Sequence, residues 1–266
     1  MSIGEFADAT KVASFGEDRW VGTIEPGWDI AGNANGGYLL AIATRALKEG
    51  AERAQPVSVT GHFLAPGRPG PVTVSTNVLK RGRQLATGTA VLSDSSRPLL
   101  VVVGSFGDLG PESEVRLIRS SPPELPPLDD CIAMDSSEGF APPFFSKVDL
   151  RLHPEDAQFA LGNPSGTPQI RGWIRLRDDE LVDGVALTCL ADATPPTIFN
   201  AGLPLGWTPT VELTVHVRAL PVPGWLRVAF ETRFVANGRL EVDGVLYDEA
   251  GTLVAQSRQL ALVPQG

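Results

Sequence analysis

The chain of 266 residues has only two cysteines and three histidines, which narrows the chemistry that it can carry. Cys131 and Cys189 stand far apart, so the sequence contains neither a disulfide framework nor the paired cysteines of a structural zinc site. Long apolar runs are also missing. The apolar stretches 98–104 and 260–263 have the length of a β-strand, and we therefore expect no membrane span.

Positively charged residues are also outnumbered. The chain has 22 Lys and Arg residues and 31 Asp and Glu residues, for a net charge of −9. An acidic chain gains little from a polyphosphate backbone, so nucleic acid is not an expected partner. The sequence contains no Gly-x-Ser-x-Gly elbow, phosphate loop, dinucleotide fingerprint or zinc ligand set. Residues 1–10 lack the basic and apolar regions of a secretory signal, and we expect a cytoplasmic protein with reduced thiols.

The sequence does contain an internal repeat. Residues 57–62 read VSVTGH and residues 211–216 read VELTVH, a shift of 211 − 57 = 154. Three further pairs match at the same shift, namely Gly70 with Gly224, Val74 with Val228, and Asp94 with Asp248. A series of matches at a nearly constant shift indicates a duplicated unit.

Each copy begins with an apolar helical segment and continues through about four strands. Residues 38–47 (YLLAIATRAL) and 185–193 (VALTCLADA) are apolar on most faces, which is typical of buried helices. In residues 211–218 apolar and polar side chains alternate, which predicts a half-buried antiparallel strand. The sequence therefore predicts an α+β fold of two units, each a long buried helix wrapped by a curved antiparallel sheet, with the sheets joined into one.

The two copies are separated by a segment of different composition. Residues 120–127 read SSPPELPP, and such a proline-rich run is typical of a linker. We predict an N-terminal unit over residues 1–110, a linker over 111–143 and a C-terminal unit over 144–266.

Short motifs in both units together resemble one protein family. In the first unit a helix that opens with Gly-Gly is followed by a strand with His and then Phe-Leu-x-Pro-Gly at positions 62–67. In the second unit Leu-Ala-Asp (190–192), Pro-Thr-Val-Glu (209–212) and a last strand from Val254 to Gln259 follow in order. This ordered set, which covers nearly the whole chain, resembles the TesB-type acyl-CoA thioesterases.

The resemblance implies a double-hotdog fold and the hydrolysis of fatty acyl-CoA thioesters. Carried over by position, it implies a catalytic set of Asp192, Thr210 and Gln259, in which the Asp activates a water that the other two side chains help to hold. This reaction needs no metal and no redox cofactor. Acyl-CoA is the expected partner, and a homodimer or larger homo-oligomer is expected because hotdog sheets often pair with one another.

Asp192 also stands out on its own chemistry, because it is the only charged residue between Val185 and Asn200. An unpaired carboxylate in an apolar site is costly, so Asp192 needs a donor partner or a water. The alternative is an exposed Asp at the end of a helix, which Pro195 and Pro196 would stop.

The other two members of the set are less distinctive. Gln259 shares strand parity with Ala255 and Ala261 on an apolar face, unless it lies on an edge strand and faces solvent. Thr210 has the parity of the polar side chains of its strand, so Thr208 or Thr214 could serve instead, or it is a surface residue. At the shift of 154 the set falls on Tyr38, Pro56 and Ser105, so we expect one active site per chain.

Backbone groups at the start of the first helix complete the expected site. The N–H groups of Gly36, Gly37 and Tyr38 could bind the substrate or its oxyanion, since a helix N-terminus favours negative charge. The alternative is that the glycines only allow helix and sheet to approach closely.

Two other functions stay open. The same pocket could hold an acyl-CoA or a fatty acid without turnover. A hotdog hydratase or dehydratase needs a histidine beside an aspartate, and His62, His153 and His216 all lie far from Asp192 in sequence, which disfavours that chemistry.

Overall fold

One antiparallel sheet of fourteen strands dominates a computed structural model of the chain, which describes residues 4–110, 117–135 and 141–264. A two-stranded sheet, β3 (Asp29–Ile30) with β4 (Asn33–Ala34), stands apart from it. In the first half the other strands are β1 (Ala13–Ser14), β2 (Arg19–Ile24), β5 (Gln55–Phe63), β6 (Gly70–Arg81), β7 (Leu85–Ser93) and β8 (Pro98–Gly107). In the second half they are β9 (Ile132–Met134), β10 (Val148–Leu152), β11 (Gln169–Leu176), β12 (Thr210–Val217), β13 (Leu226–Glu231), β14 (Val235–Ala236), β15 (Arg239–Tyr247) and β16 (Leu253–Leu262).

In the part of the chain that the structure describes, three α-helices accompany the sheet: α1 (Glu5–Ala9), α2 (Gly36–Ala51) and α3 (Gly184–Leu190). Short 3-10 turns cover Leu128–Asp130, Pro143–Ser146, Gln158–Leu161, Arg177–Asp179 and Thr197–Ala201. Among the described residues, no helix is long and apolar enough to cross a membrane.

The strand order is symmetric about the contact between β5 and β12. On one side the order is β5-β8-β7-β6-β2, and on the other side the matching strands follow as β12-β16-β15-β13-β11. At the centre Thr60 lies opposite Thr214, with the two hydroxyl oxygens 2.8 Å apart. These residues are 154 positions apart in sequence, so the repeat shift brings equivalent residues together at a pseudo-twofold axis. The predicted pair of helix-and-sheet units joined into one sheet is confirmed.

The helix of the first unit matches its prediction. Every residue of α2 from Gly37 to Leu47 is buried except Arg45, because the helix lies between the sheet and α3. Its start is capped by Asn35, whose side chain accepts a hydrogen bond from the Tyr38 N–H at 2.9 Å.

The helix of the second unit is shorter than the pattern over 185–193 predicts. α3 is capped by Asp183 and has seven residues, against sixteen in α2. The Asp192 N–H bonds the Cys189 carbonyl in a tightened last turn, and Pro195 has no N–H with which to continue the helix. Within the described ranges, the long buried helix is therefore found only in the first unit.

The short α3 leaves part of the second unit's sheet uncovered. In the first unit Gly88 faces Gly104 across β7 and β8, and a Cβ on Gly88 would lie 2.9 Å from the side chain of Leu47 in α2. The matching positions of β15 and β16 carry Val242 and Gln259. Because α3 has already ended, no helix covers these two side chains.

The structure also corrects the residue equivalences between the units. The helix caps Asn35 and Asp183 are 183 − 35 = 148 positions apart, so Asp192 does not correspond to Tyr38. Counted from the caps, Asp192 corresponds to Thr44. By strand register, Gln259 of the second unit is equivalent to Gly104 of the first unit, and not to Ser105. The first unit still lacks a carboxylate and an amide at the equivalent positions.

Part of the predicted linker belongs to the sheet. β9 pairs with β10 at one edge, and the Tyr247 hydroxyl donates a hydrogen bond of 2.6 Å to the Ser120 hydroxyl oxygen. Residues 111–116 and 136–140 of the predicted linker lie outside the described residues. Beyond it, Phe144 packs against Trp28 with ring centroids 6.1 Å apart, so the second half starts against the first.

Candidate active site

A cavity of about 650 Å³ lies over the uncovered part of the sheet. Its walls are mostly apolar and include six aromatic rings, those of Phe63, Phe145, Phe159, Phe199, Trp207 and Phe230. Val242 and Gln259 both line it, so the space that a longer α3 would fill is the space that a ligand can enter. Among the described residues that line the cavity, Asp192 is the only one with an ionisable side chain.

Two donors from different units hold the carboxylate of Asp192. Oδ2 accepts a hydrogen bond from the backbone N–H of Gly37 at 2.8 Å, and Oδ1 accepts one from the Gln259 amide nitrogen at 2.9 Å. The chain thus satisfies the requirement that a half-buried carboxylate in an apolar site must find donors. The alternative, an exposed Asp at a helix end, does not describe this residue, which is only partly accessible.

Gln259 joins the carboxylate to a hydroxyl. Its Nε2 lies 2.9 Å from Asp192 Oδ1 and 2.7 Å from Thr210 Oγ1, and both contacts require the nitrogen to donate. Gln259 therefore points to the inner face of β16, as its parity predicts, and does not face solvent.

Thr210 reaches the site because the strand β12 is irregular at its start. Thr210 lies opposite Ala261 and Glu212 lies opposite Leu260, so one extra residue of β12 is inserted in a β-bulge. The bulge removes Thr210 from the polar side on which alternation would put it. Of the other candidates, Thr214 bonds Thr60 at the unit boundary, and Thr208 lines the cavity but bonds the Gly206 carbonyl.

Burial raises the pKa of Asp192 to about 6, although the hydrogen bonds from Gly37 and Gln259 oppose this shift. Removal of water disfavours the charged carboxylate, whereas the two donors favour it. A carboxyl group with such a pKa is largely ionised at neutral pH and can still accept a proton, as a general base must.

Two of the three N–H groups expected to bind the substrate or its oxyanion at the start of α2 bind protein side chains instead. The Gly37 N–H binds Asp192, and the Tyr38 N–H binds the side chain of Asn35, so neither is left for an oxyanion. The Tyr38 ring is buried, its hydroxyl donates to the Ala9 carbonyl, and burial raises the pKa of Tyr38 well above its usual range. Of the three residues only Gly36 lines the cavity.

The two glycines do serve close packing. A Cβ on Gly37 would lie 2.6 Å from the Cys189 carbonyl oxygen, and a Cβ on Gly36 would lie 2.8 Å from Asp192 Oδ2. A side chain on Gly37 would push α3 away from α2, and a side chain on Gly36 would displace the Asp192 carboxylate.

One polar residue of the site was missed by the sequence analysis. Asn35 is almost fully buried, and its Nδ2 lies 2.9 Å from the Asp192 carbonyl oxygen and 3.5 Å from Asp192 Oδ2. The available signal was its place before the Gly-Gly start of a helix, where Asn is a preferred cap. Nothing in the sequence indicated that the same side chain would also contact Asp192.

The histidines lie away from the cavity. His62 and His216 are exposed on β5 and β12, and His153 belongs to a separate cluster with Glu155 and Asp156. Within the described residues this cluster is the one group with the spacing of a metal site, but Arg171 donates to Asp156 at 2.9 Å and to Glu155 at 3.2 Å. The guanidinium already supplies the positive charge, so the cluster is an ion-pair network.

Comparison with family models gives two matches that together cover most of the chain. Residues 24–107 match the acyl-CoA thioesterase N-terminal domain, and residues 126–263 match the acyl-CoA thioesterase C-terminal domain.

Solved structures and sequence relatives agree with these matches. A protein of Thermobifida fusca YX, named as a candidate thioesterase II, is 33% identical with a TM-score of 0.89 over 100% of this chain and 99% of that one. A protein of unknown function with a hot dog fold from Alicyclobacillus acidocaldarius is 21% identical with a TM-score of 0.87 over the whole of both chains. An uncharacterized protein of Mycobacterium tuberculosis is 29% identical over 91% of this chain and 90% of its own length. The expected double-hotdog fold of class α+β is confirmed.

Proposed function

Because the chain belongs to the acyl-CoA thioesterase family, we propose that it hydrolyses acyl-CoA thioesters to a free acid and CoA, with Asp192, Gln259 and Thr210 at the reacting end of the cavity. The observation that carries this proposal is the hydrogen-bonded set itself. A carboxylate, an amide and a hydroxyl from three separate parts of the chain meet in a mostly apolar cavity, at the one ionisable side chain among the described residues that line it.

The hydrogen-bond directions suggest where the nucleophilic water binds. Since the Gln259 nitrogen donates to both neighbours, Thr210 Oγ1 accepts, and the hydroxyl proton of Thr210 is left to donate elsewhere. The side-chain carbonyl oxygen of Gln259 is left to accept a hydrogen bond. A water beside Asp192 can therefore donate one proton to the carboxylate while Thr210 or Gln259 fixes its orientation.

The proposed reaction follows from this placement. Asp192 takes a proton from the water as its oxygen attacks the thioester carbonyl carbon, which produces a tetrahedral intermediate. Collapse of the intermediate breaks the carbon–sulfur bond. The proton on Asp192 then passes to the departing thiolate, so the carboxylate is regenerated and no metal or redox group takes part.

The oxyanion of the intermediate needs a donor, and we assign that role to the backbone N–H of Gly36. Gly36 is the first residue of α2 and lines the cavity beside Asp192. The partial positive charge at the start of a sixteen-residue helix adds to the hydrogen bond.

The acyl group would occupy the apolar part of the cavity. Phe199, Phe230 and Val242 line that part, and burial of alkyl surface against them supplies binding energy.

Homo-oligomer formation and a cytoplasmic location remain predictions from the sequence. Sedimentation of the purified protein measures the oligomeric state.

The experiment is the release of free thiol from a panel of acyl-CoAs by the wild type and by Asp192→Asn. We expect hydrolysis by the wild type and a loss of about 10²–10⁴-fold in the variant, with the fold intact by circular dichroism. Wild-type turnover in Asp192→Asn would reject the assignment of the base. Binding of acyl-CoA without any thiol release would instead support a carrier of the same fold.

A further inference from the structure

We propose that Asn35 is a positioning residue for Asp192: one side chain both caps α2 and holds the carboxyl-bearing residue of the other unit. This inference rests on the proposed hydrolase function for its kinetic consequence. It does not rest on that function for its structural basis, which is a set of contacts between the two units.

The contacts use both ends of the Asn35 amide. Its oxygen accepts the Tyr38 N–H at 2.9 Å, and its nitrogen donates to the Asp192 carbonyl oxygen at 2.9 Å and lies 3.5 Å from Asp192 Oδ2. The shorter donated bond fixes the backbone of Asp192 just beyond the end of α3. The longer one adds a weak donor to the oxygen that the Gly37 N–H also binds.

The choice of residue type follows from this double task. Asp, Asn and Ser cap helices about equally well, because each offers an oxygen to a backbone N–H. Of these three, only Asn also carries a side-chain donor that can reach across to Asp192, since an ionised Asp has none and a Ser is too short. The equivalent cap of α3 is Asp183, which is partly exposed and faces Arg45 at 4.0 Å instead of a carboxylate.

The titratable surroundings of Asp192 are simple. In the last turn of α3 the Cys189 thiol is the ionisable neighbour of Asp192, and the Tyr38 hydroxyl of α2 is in turn a neighbour of Cys189. Burial raises the pKa of both groups well above the ordinary values, so they stay neutral while Asp192 titrates. The contacts from β12 and β16 are the uncharged side chains of Thr210 and Gln259.

The decisive variant is Asn35→Asp, which is isosteric and keeps the cap while it replaces the donor by a second carboxylate. Two carboxyl groups at this separation cannot both ionise easily, and the N–H groups at the start of α2 favour charge on residue 35. We expect the acid limb of the pH–rate profile to move up by about one pH unit or more, which alone lowers kcat at pH 7 about twofold, and loss of the bond to the Asp192 carbonyl lowers kcat further. Asn35→Ser keeps an oxygen that caps the helix, but its side chain is too short to contact Asp192. It should lower kcat and move the acid limb of the pH–rate profile by less than Asn35→Asp does.

Asp183→Ala is the matched control for loss of a helix cap, compared with Asn35→Ala. Both variants should melt at a lower temperature than the wild type. Asp183→Ala should leave the acid limb in place, whereas Asn35→Ala should move it up. Equal pH profiles for these two variants would mean that Asn35 is a helix cap alone, and would overturn the proposal.

A second readout is independent of turnover. Titration of the Asp192 carboxyl carbon by NMR, assigned by its loss in Asp192→Asn, should give a higher pKa for Asp192 in Asn35→Asp than in the wild type. If no acyl-CoA is hydrolysed, the proposed function fails and this titration still decides the role of Asn35. An unchanged pKa of Asp192 in Asn35→Asp would reject the role whatever the enzyme does.

Discussion

The backbone N–H of Gly37 donates a hydrogen bond of 2.8 Å to Oδ2 of Asp192, so the first unit's helix holds the second unit's carboxylate. Gly37 begins the buried part of α2, and Asp192 follows the end of α3. The candidate active site is therefore shared between the two units, although three of its side chains come from the second.

Replacement of Gly37 by Ala tests this contact. The new Cβ would lie 2.6 Å from the Cys189 carbonyl oxygen, which is backbone and cannot rotate away. We expect a loss of about 1–3 kcal/mol in the free energy of unfolding and a large loss of activity. Gly110→Ala is the control, because a Cβ there meets no atom within 4 Å and should change stability by less than about 0.5 kcal/mol. Equal stability of the two variants, measured by urea unfolding, would contradict the packing argument.

Both activity and stability should change with pH as the Asp192 carboxyl group ionises. Its pKa of about 6 predicts that kcat/KM falls about tenfold per pH unit below that value, as the base becomes protonated. Because the folded-state pKa is raised above the ordinary 3.8, charging Asp192 destabilises the fold as pH rises from about 4 to about 6. Relative to Asp192→Asn, the wild type should therefore lose stability between pH about 4 and about 6, with a constant difference above that range. A parallel pH dependence of Tm in the two proteins would show that Asp192 titrates normally.

Thr210 allows a matched pair of substitutions. Thr210→Ser keeps the hydroxyl that accepts from Gln259 and donates into the cavity, and it should keep most of the activity. Thr210→Val has the shape of Thr without the hydroxyl and leaves a Gln259 N–H without its acceptor. We expect a loss of roughly tenfold or more in kcat for Thr210→Val. Similar rates of thiol release in both variants would show that the hydroxyl is not needed.

The acyl cavity predicts a change of chain-length preference in Val242→Phe. Val242 lines the cavity on the inner face of β15, so a larger ring should fill the space in which the far end of the acyl group lies. We expect kcat/KM to fall by about tenfold or more for the longest good substrate, with little change for short acyl-CoAs. Val245→Phe is the control, because alternation turns Val245 to the other face of β15. An equal effect of both variants on all chain lengths would locate the acyl group elsewhere.

Much of the fold was predictable because the signals were periodic and repeated. The alternation in 211–217 predicted which side chains of β12 are buried, and the shift of 154 matches the pairing of Thr60 with Thr214. Gln259 was predicted to face inward by the same alternation. Alternation predicts burial correctly in the centres of these strands because the strands there pair in a regular register.

The features that the sequence did not indicate arise from local irregularity and long-range contact. A bulge at the start of β12 reverses the facing of Thr210, and alternation cannot reveal an extra residue in advance. Asn35 contacts a residue 157 positions away, which no local pattern encodes. β9 has only three residues, too few for an alternating pattern to distinguish it from linker.

The pseudo-twofold axis through Thr60 and Thr214 has an evolutionary consequence. In a homodimer of single units, one gene encodes both subunits. A substitution that opens space beside the helix of one subunit therefore opens the same space in the other. A fused chain is free of this constraint. Its halves can differ, and here one half has Gly88 and Gly104 under a full-length helix, whereas the other has Val242 and Gln259 beside a short one. Only a fused chain can therefore place a full-length helix on one side of the axis and a cavity in the equivalent space on the other.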